Sequence, residues 1–596
     1  MSSEQLAAAR DALARGDVLV AYDLAVGASR GGPTDLEARY VAALALARSG
    51  ALDRAAPEAA RLRHDVDRAA TASVRLREDS AALEARISKD MALRAPRGAQ
   101  PACFAEAADR YEATVERFNR HYACINAATM RLLAGEVARA HELARRALEL
   151  ASTQPLADAE TRYWAAATTA EAHLIRRDVG AARQALKLAA SLSTGDWGAR
   201  AATRRQLEVV CSVIGVGREI LDVLRVPAVI HYCGHLIAGA AGLGRFPIRL
   251  AQQVSADVAA YLDDRAVGFA YGSLACGADT IVAEAVLARG GELHVVLPFH
   301  TAEFEKVSVE PAGAVWLDRF RACLARATSV IHASDSAYLG DDGLFGYASR
   351  IAMGHAINRA QSLGSEVEQL AIWDEKPPVS GTERNIDIWR RTGRPTHVTS
   401  LRSRTPPPGA PPETQPTHPP RAIRAVMFAD FRGFSGLYDE HYPAVLQRVF
   451  QPLAAVVDRY GENASWRNTW GDAVVVVFDD VVAAARCALE LQEAVQTIDL
   501  VACGLPPDLS LRIGVHAGPI LHLADPFCGA DGWWGREMTR AARIEPRTPE
   551  GEVYGTDALA ALIAIEPSSG IACDYVGRVT TAKEFETIPM YRLRRE

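Results

Sequence analysis

The sequence predicts a chain of three folded parts: an all-helical array, an α/β domain built on a parallel sheet, and an α+β domain. Three observations carry this. Apolar residues recur at three- and four-residue steps from the start to about Leu224, β-branched runs alternate with helical stretches from Val226 to about Ser400, and a proline-rich stretch sets off the remainder. At 596 residues and 49% hydrophobic, the chain exceeds what a single core accommodates. A formal charge of −7 gives no bulk attraction for nucleic acid or for an anionic membrane surface, so neither is expected as a partner. The ten cysteines are scattered, with no CxxC and no Cys/His cluster of metal-ligand spacing, which fits reduced thiols. The opening MSSEQLAAARDALARGD is polar and helical, and no run reaches the roughly 18 apolar residues of a membrane span. A cytoplasmic protein is expected.

Residues 1–224 are Ala-, Leu- and Arg-rich, with breaks at Gly16-Asp17, Ser49-Gly50, Ala134-Gly135 and Asp178-Gly180 separating helical runs. The first two breaks lie 34 residues apart, a tetratricopeptide period, and fragments of that repeat's small-residue pattern survive at Ala43, Ala47 and Ala55. The region loosely resembles tetratricopeptide-type arrays (TRAFs-binding type); later spacings are irregular and equally fit a generic helical bundle. Either arrangement implies a surface for a protein partner and no catalysis.

In residues 225–400 the runs VPAVIHYCG, VGFAYGSLACGAD, ELHVVLPFH, TSVIHAS and QLAIWDE read as strands of a parallel sheet covered by helices. At AYGSLACGAD a strand ends in Gly272 and Ser273, and small residues lead through Gly277 and Asp279 into a helix. Such a turn brings backbone amides at a helix N-terminus close to a phosphate, and Cys233-Gly234-His235 faces the same crevice. GAAGLGRF at 239–246 is a weaker glycine signal, because no strand runs directly into it. The segment resembles the Rossmann-like nucleotide-sensing domains of the SLOG group, which implies a nucleotide-like ligand at Gly272, Ser273, Gly277 and Asp279. A catalytic middle domain is the competing reading, with Asp279 and Glu284 as its first residues to mutate.

Residues 401–421, LRSRTPPPGAPPETQPTHPPR, form a semi-extended linker. In 422–596, AIRAVMFADF reads as a buried strand, EHYPAVLQRVFQPLAAVVDRYGE as a long helix, ASWRNTWGDAVVVVFDD as a hairpin, VVAAARCALELQEAVQTID as a helix and DLSLRIGVHAGPI as a strand. That order is ferredoxin-like. FADFRGFS, NTWGD, LRIGVHAGPI, WGREMTRAARIE and VGRVTTAKEFETIPMYRL, in this order, resemble the catalytic domain of the class III nucleotidyl cyclases.

The resemblance implies attack of a ribose 3′-hydroxyl on the α-phosphate of a nucleoside triphosphate, with two Mg²⁺ or Mn²⁺ ions per site. Asp430 and Asp472 match the family's metal-binding aspartates, and Phe431 the residue whose carbonyl joins the metal shell. Arg432, Gly433, Phe434 and Ser435 match the turn that holds the triphosphate, and Arg543 the arginine that stabilises the pentacovalent phosphate. Lys583 matches the lysine for the β/γ-phosphates, with spacing off by one residue and Glu584 where the family has glycine. The two base-reading positions hold Asn468 and Gly532 (beside Asp531), so neither purine code is intact, and Thr539 replaces the ribose-orienting asparagine. Trp466, Trp470, Trp533 and Trp534 crowd this region. A small pocket edged by asparagine favours a pyrimidine, as in the cytidylate and uridylate cyclases of bacterial anti-phage signalling. The same departures also fit a loose purine cyclase or a cyclase fold that only binds nucleotide. The family's shared site implies a head-to-tail homodimer.

Overall fold

The computed structural model describes residues 2–29, 35–154, 158–238, 244–376, 380–401 and 419–596. Most of the linker, and the centre of the glycine run at 239–246, lie outside the described residues. The chain divides into two compact units, 1–226 with 361–365, and 227–360 with 366–596.

The first unit is helical, with eleven α-helices between Ser2 and Ile214 among the described residues. The breaks read from sequence are where the chain turns: Gly16, Gly50 and Gly135 sit at φ 76°, 89° and 86°, the left-handed region that only glycine enters cheaply. Asp35, Ser73, Asp158, Asp178 and Asp196 accept bonds from the first-turn amides of the helices they open. The core is made largely of alanine, which lets helices approach closely, with Tyr111, Leu174 and Leu207 filling it.

The second unit contains two sheets. The first comprises β1 (Ala228–Gly234), β2 (Val267–Gly272), β3 (Glu292–Leu297), β4 (Ser329–His332), β5 (Val367–Trp373) and β6 (Thr396–Ser400), in the order β4-β3-β2-β1-β5-β6, all parallel. The five runs expected from sequence are all strands. The sixth, THVTS, is a short edge strand too polar to announce itself.

The second sheet is mixed. Its strands are β7 (Ala422–Arg432), β8 (Trp466–Trp470), β9 (Ala473–Phe478), β10 (Ser510–Asp525), β11 (Ala530–Trp534), β12 (Val553–Thr556), β13 (Ile571–Thr580) and β14 (Thr587–Arg595). The order is β13-β14-β12-β10-β7-β9-β8, with β11 on the far half of β10. The helix expected after β7 is present, but it passes through a π-helical stretch, Val445–Phe450, before the α-helix Gln451–Asp458. Pro452 has no N–H for the carbonyl four residues back, and the Gln451 amide bonds instead to Leu446, five back.

Helix Gly343–Leu363, which leads into β5, joins the two sheets of this unit. The Tyr347 hydroxyl donates to the Ala517 carbonyl at 2.7 Å, and His355 pairs with Asp557 at 3.2 Å. At Gly354 a Cβ would lie 2.0 Å from the Ala561 carbonyl oxygen, so only glycine fits. The nearly buried Arg421 and Asp341 form an ion pair.

Candidate active site

Strand β7 delivers Asp430, and the β8–β9 hairpin delivers Asp472. Trp470 opposes Ala473, leaving a two-residue turn whose first residue, Gly471, has φ 67°, as a tight hairpin of primed type requires. Pairing of Ala429 with Val474 sets the turn beside the end of β7, so the two carboxylates come together. Burial, then the neighbouring charge of Asp430, hold the Asp472 carboxyl above its ordinary value.

Beside Asp430 lies an arginine that sequence reasoning passed over. Arg512 is the cross-strand partner of Asp430 in the β10–β7 ladder, and its Nη2 donates to Asp430 Oδ2 at 2.7 Å. Its Nε bonds to Glu545, just past helix Arg536–Ile544. Burial pushes the Glu545 carboxyl up to about 7, with Asp430 and Asp472 adding to the rise and Arg512 opposing it. The signal was present in LRIG, since the residue opposite a strand-end aspartate in an antiparallel neighbour is the one placed to pair with it.

The turn after β7 is held by packing. Gly433 has φ 86°, Phe431 stacks on Phe450 at 5.4 Å, and Phe434 stacks on Phe450 at 6.1 Å and meets Tyr442 edge-on. Ser435 is exposed at this turn, and Arg432 pairs with Glu550. A cavity of about 430 Å³ lies behind Phe431, with Phe450, Leu453, Val474 and Leu511 among its walls. Alternation along β7 puts it on the sheet face opposite the Asp430 side chain.

Thr539 and Arg543 lie on helix Arg536–Ile544, which packs over β7 and β10 through Ala541 and Met538. Among the described residues no hydrogen bond or ion pair joins either of them to Asp430 or Asp472. Arg540, between them in sequence, is tied to Glu537, Glu586 and, at 2.7 Å, to Asp335 beyond β4. Lys583 is exposed on the short connection between β13 and β14.

Asn468 is exposed on β8, and its Oδ1 accepts from the Thr469 amide at 2.9 Å. Gly532 is buried on β11, where a Cβ would meet the Trp534 indole nitrogen at 3.3 Å. The four tryptophans divide. Trp466 and Trp533 pack against the sheet, whereas Trp470 and Trp534 are 88% and 43% exposed and free to stack.

In the middle sheet, the Tyr232 hydroxyl donates to the Ser273 carbonyl at 2.7 Å. A Cβ at Gly272 would lie 2.7 Å from the Tyr232 ring, and one at Gly277 (φ 111°) 2.5 Å from the Ile237 nitrogen, so the protein's own chain fills both spaces. Ser273 Oγ is buried without a partner. Asp279 is buried, accepts from the Ala275 amide at 3.2 Å, and is pushed up to about 7 by burial. Glu284 is paired with Arg319. At the end of β5, Asp374 accepts from Arg245 and lies 2.8 Å from His235, a cluster not foreseen.

Among the described residues no group of three or more His, Cys, Asp or Glu side chains is arranged to hold a metal. Asp430 and Asp472 with the Phe431 carbonyl are nonetheless a hard-oxygen set, and their mutual repulsion is what a divalent cation relieves. Mg²⁺ takes one or two carboxylates and fills its other positions with phosphate and water. The residues present therefore fit such ions. No helix among the described residues is long and apolar enough to cross a membrane.

Residues 17–131 match the family Tetratricopeptide Repeats-Sensor, and residues 420–588 match Adenylate and Guanylate cyclase catalytic domain. No curated protein matches the chain. Among similar solved structures, the adenylyl cyclase CyaB from P. aeruginosa is 21% identical, over 30% of this chain and 97% of that one, with TM-score 0.27. The guanylate cyclase domain of RhGC from Catenaria anguillulae in complex with GTP is 19% identical, over 29% and 97%, with TM-score 0.25. The guanylyl cyclase Cya2 is 21% identical, over 29% and 93%, with TM-score 0.26. The chain thus carries a tetratricopeptide-repeats-sensor domain near its N-terminus and an adenylate and guanylate cyclase catalytic domain at its C-terminal end.

Proposed function

We propose that the C-terminal domain is a nucleotidyl cyclase that converts a nucleoside triphosphate to a 3′,5′-cyclic nucleotide and pyrophosphate. The observation that carries this is the meeting of Asp430 and Asp472 beside Arg512. Asp430, Asp472 and the Phe431 carbonyl would hold two Mg²⁺ or Mn²⁺ ions, which lower the pKa of the attacking hydroxyl and neutralise charge on the phosphates. The turn Arg432–Ser435 receives the triphosphate chain, with Arg512 and Lys583 as cations for it. Arg543, planar and permanently charged, suits the spread charge of the transition state, and the Thr539 hydroxyl orients the ribose.

Asn468 in place of a purine-reading lysine or glutamate supports a pyrimidine substrate, since an amide pairs with the amide-like edge of either pyrimidine. The exposed Trp470 and Trp534 supply stacking faces. Arg543 makes no hydrogen bond or ion pair with Asp430 or Asp472 of its own chain among the described residues, which supports a site completed by a second copy in a head-to-tail homodimer. The middle domain in this reading takes a nucleotide-like ligand, with the unpartnered Ser273 Oγ and the buried Asp279 as its polar groups. The helical array presents a surface to a protein partner.

The test is turnover of ATP, GTP, CTP and UTP with Mn²⁺, with products identified by mass. Asp430→Ala and Asp472→Ala are each expected to abolish product. Mixing Asp430→Ala with Arg543→Ala chains is expected to restore about one site per heterodimer. Cyclic CMP or UMP supports the pyrimidine assignment, and cyclic AMP or GMP overturns it. No product from any triphosphate overturns the enzyme in favour of a nucleotide-binding module.

A further inference from the structure

The helical unit has a half-open cavity of about 620 Å³ between helices Leu36–Ser49, Val74–Arg94 and Trp197–Ile214. Six cations line it, Arg48, Arg86, Lys89, Arg94, Arg205 and Arg218, with the carboxylates Asp90 and Glu208. Few carboxylates answer them. Asp90 pairs with Arg86 at 3.6 Å. Lys89 donates to Gln206 at 2.9 Å, and Gln206 in turn donates to the buried Glu171 at 2.8 Å. Arg205 donates to the Ser362 carbonyl. Arg48 takes part in no ion pair among the described residues, and the Nε atoms of Arg48 and Arg86 are buried without a hydrogen-bond partner.

Such an arrangement destabilises the empty protein. Burial, then the neighbouring charge of Arg86, depress the Arg48 guanidinium to about 10, and burial depresses Lys89 and Arg205 as well. A core that needed only to pack would place apolar side chains here, because charge drawn partly out of water without a counter-charge costs free energy. Counting Asp90, Glu208 and Glu171 against the six lining cations, three positive charges stay unanswered. Guanidinium forks on facing helices match phosphate oxygens in pairs. Ala47, Leu52 and Val209 add an apolar wall, and the volume falls in the range that holds a nucleotide-sized molecule.

We propose that this cavity is a binding site for a compact polyphosphorylated small molecule, with Arg48, Arg86, Lys89 and Arg205 as its phosphate ligands. The helical array is thereby a ligand-binding unit in its own right. The site stands independently of the cyclase reading.

The test is calorimetric titration of the full chain, at low salt without divalent ions, with inorganic tripolyphosphate and with ATP and CTP. The variants are Arg48→Met, Lys89→Met, the milder Arg205→Gln, and the Asp430→Ala/Asp472→Ala control. Saturable binding is expected, weakened about tenfold or more by each array substitution, the loss of one charged hydrogen bond, and unchanged in the aspartate control. Arg48→Met is also expected to raise the melting temperature of the ligand-free chain, which separates lost binding from lost folding. Equal affinity for tripolyphosphate and the nucleotides identifies the phosphate chain alone as the ligand; preference for a nucleotide places its base on the apolar wall. Absence of saturable binding, or binding that survives Arg48→Met and Lys89→Met alike, overturns the proposal. So does a lowered melting temperature in Arg48→Met with binding unchanged, because the cations would then serve the fold.

Discussion

At the scale of single residues, the connection between β13 and β14 explains a departure that the motifs alone left open. Lys583 and Glu584 have φ 58° and 52°, two successive non-glycine residues in the left-handed region. Each placement costs about 1–2 kcal/mol, and both side chains are exposed, so no packing offsets it. The resemblance puts glycine at position 584, and the backbone there is what glycine suits. Glu584→Gly is therefore expected to leave stability unchanged or raise it by up to about 1 kcal/mol, the relief of strain being partly offset by glycine's freer unfolded chain. Thermal denaturation of the full chain checks this, and a loss of more than about 1 kcal/mol would refute the strain argument. Lys583→Gly is expected to stabilise in the same way while weakening triphosphate binding, because it alone removes a cation.

At the scale of elements, helix Gly343–Leu363 is seated by the absence of one side chain. A Cβ at Gly354 would meet the carbonyl oxygen, carbon and Cα of Ala561, which is backbone within helix Asp557–Ala564 and has no rotamer to give. Gly354→Val is expected to cost about 1–3 kcal/mol as overpacking, and to raise hydrogen exchange in helix Asp557–Ala564 above that in β7. Equal protection in the parent and the variant would show that the helices are not in contact in solution. The sequence shows why such a contact escapes reading: IAMGHAI has an ordinary helical period, and its glycine answers a residue some 200 positions away. Local chemistry was legible. Five of the six strands of the parallel sheet, the hairpin that bears Asp472 and the capped breaks of the helical array follow from alternation, turn residues and N-cap types. The π-helical stretch was not, because Pro452 within a long apolar pattern marks a disturbance without its form. Arg512 lay in a motif already identified, yet its partner is defined only by strand register.

At the scale of the molecule, the parallel sheet and the cyclase sheet share one compact unit, and the belt between them is polar and specific. Asp335, just beyond β4, holds Arg536 and Arg540 on the helix that also bears Thr539 and Arg543. Farther along the belt His355 faces Asp557, whose other oxygen accepts from the Tyr591 hydroxyl at 3.1 Å. Burial opposes protonation of His355, but Asp557 outweighs it and raises the imidazole above 6.5. Burial of Asp557 is likewise outweighed by His355, and its carboxyl falls below 3.8. The sign follows from linkage. A histidine raised in the folded state contributes stability that is complete below its unfolded value of about 6.5 and disappears as pH rises through the folded value. The aspartate's contribution is complete above about 3.8 and is lost only in acid. The belt is therefore tightest between these limits and loosens on the alkaline side of neutrality. Melting of the full chain between pH 6 and pH 9 is expected to show a decline in stability that His355→Gln flattens, because the neutral amide keeps a donor toward Asp557 and has no proton to lose. An identical decline in the parent and in His355→Gln would remove this pair as its cause. A decline in both His355→Gln and Gly354→Val that matches the parent would place the alkaline sensitivity outside the belt altogether.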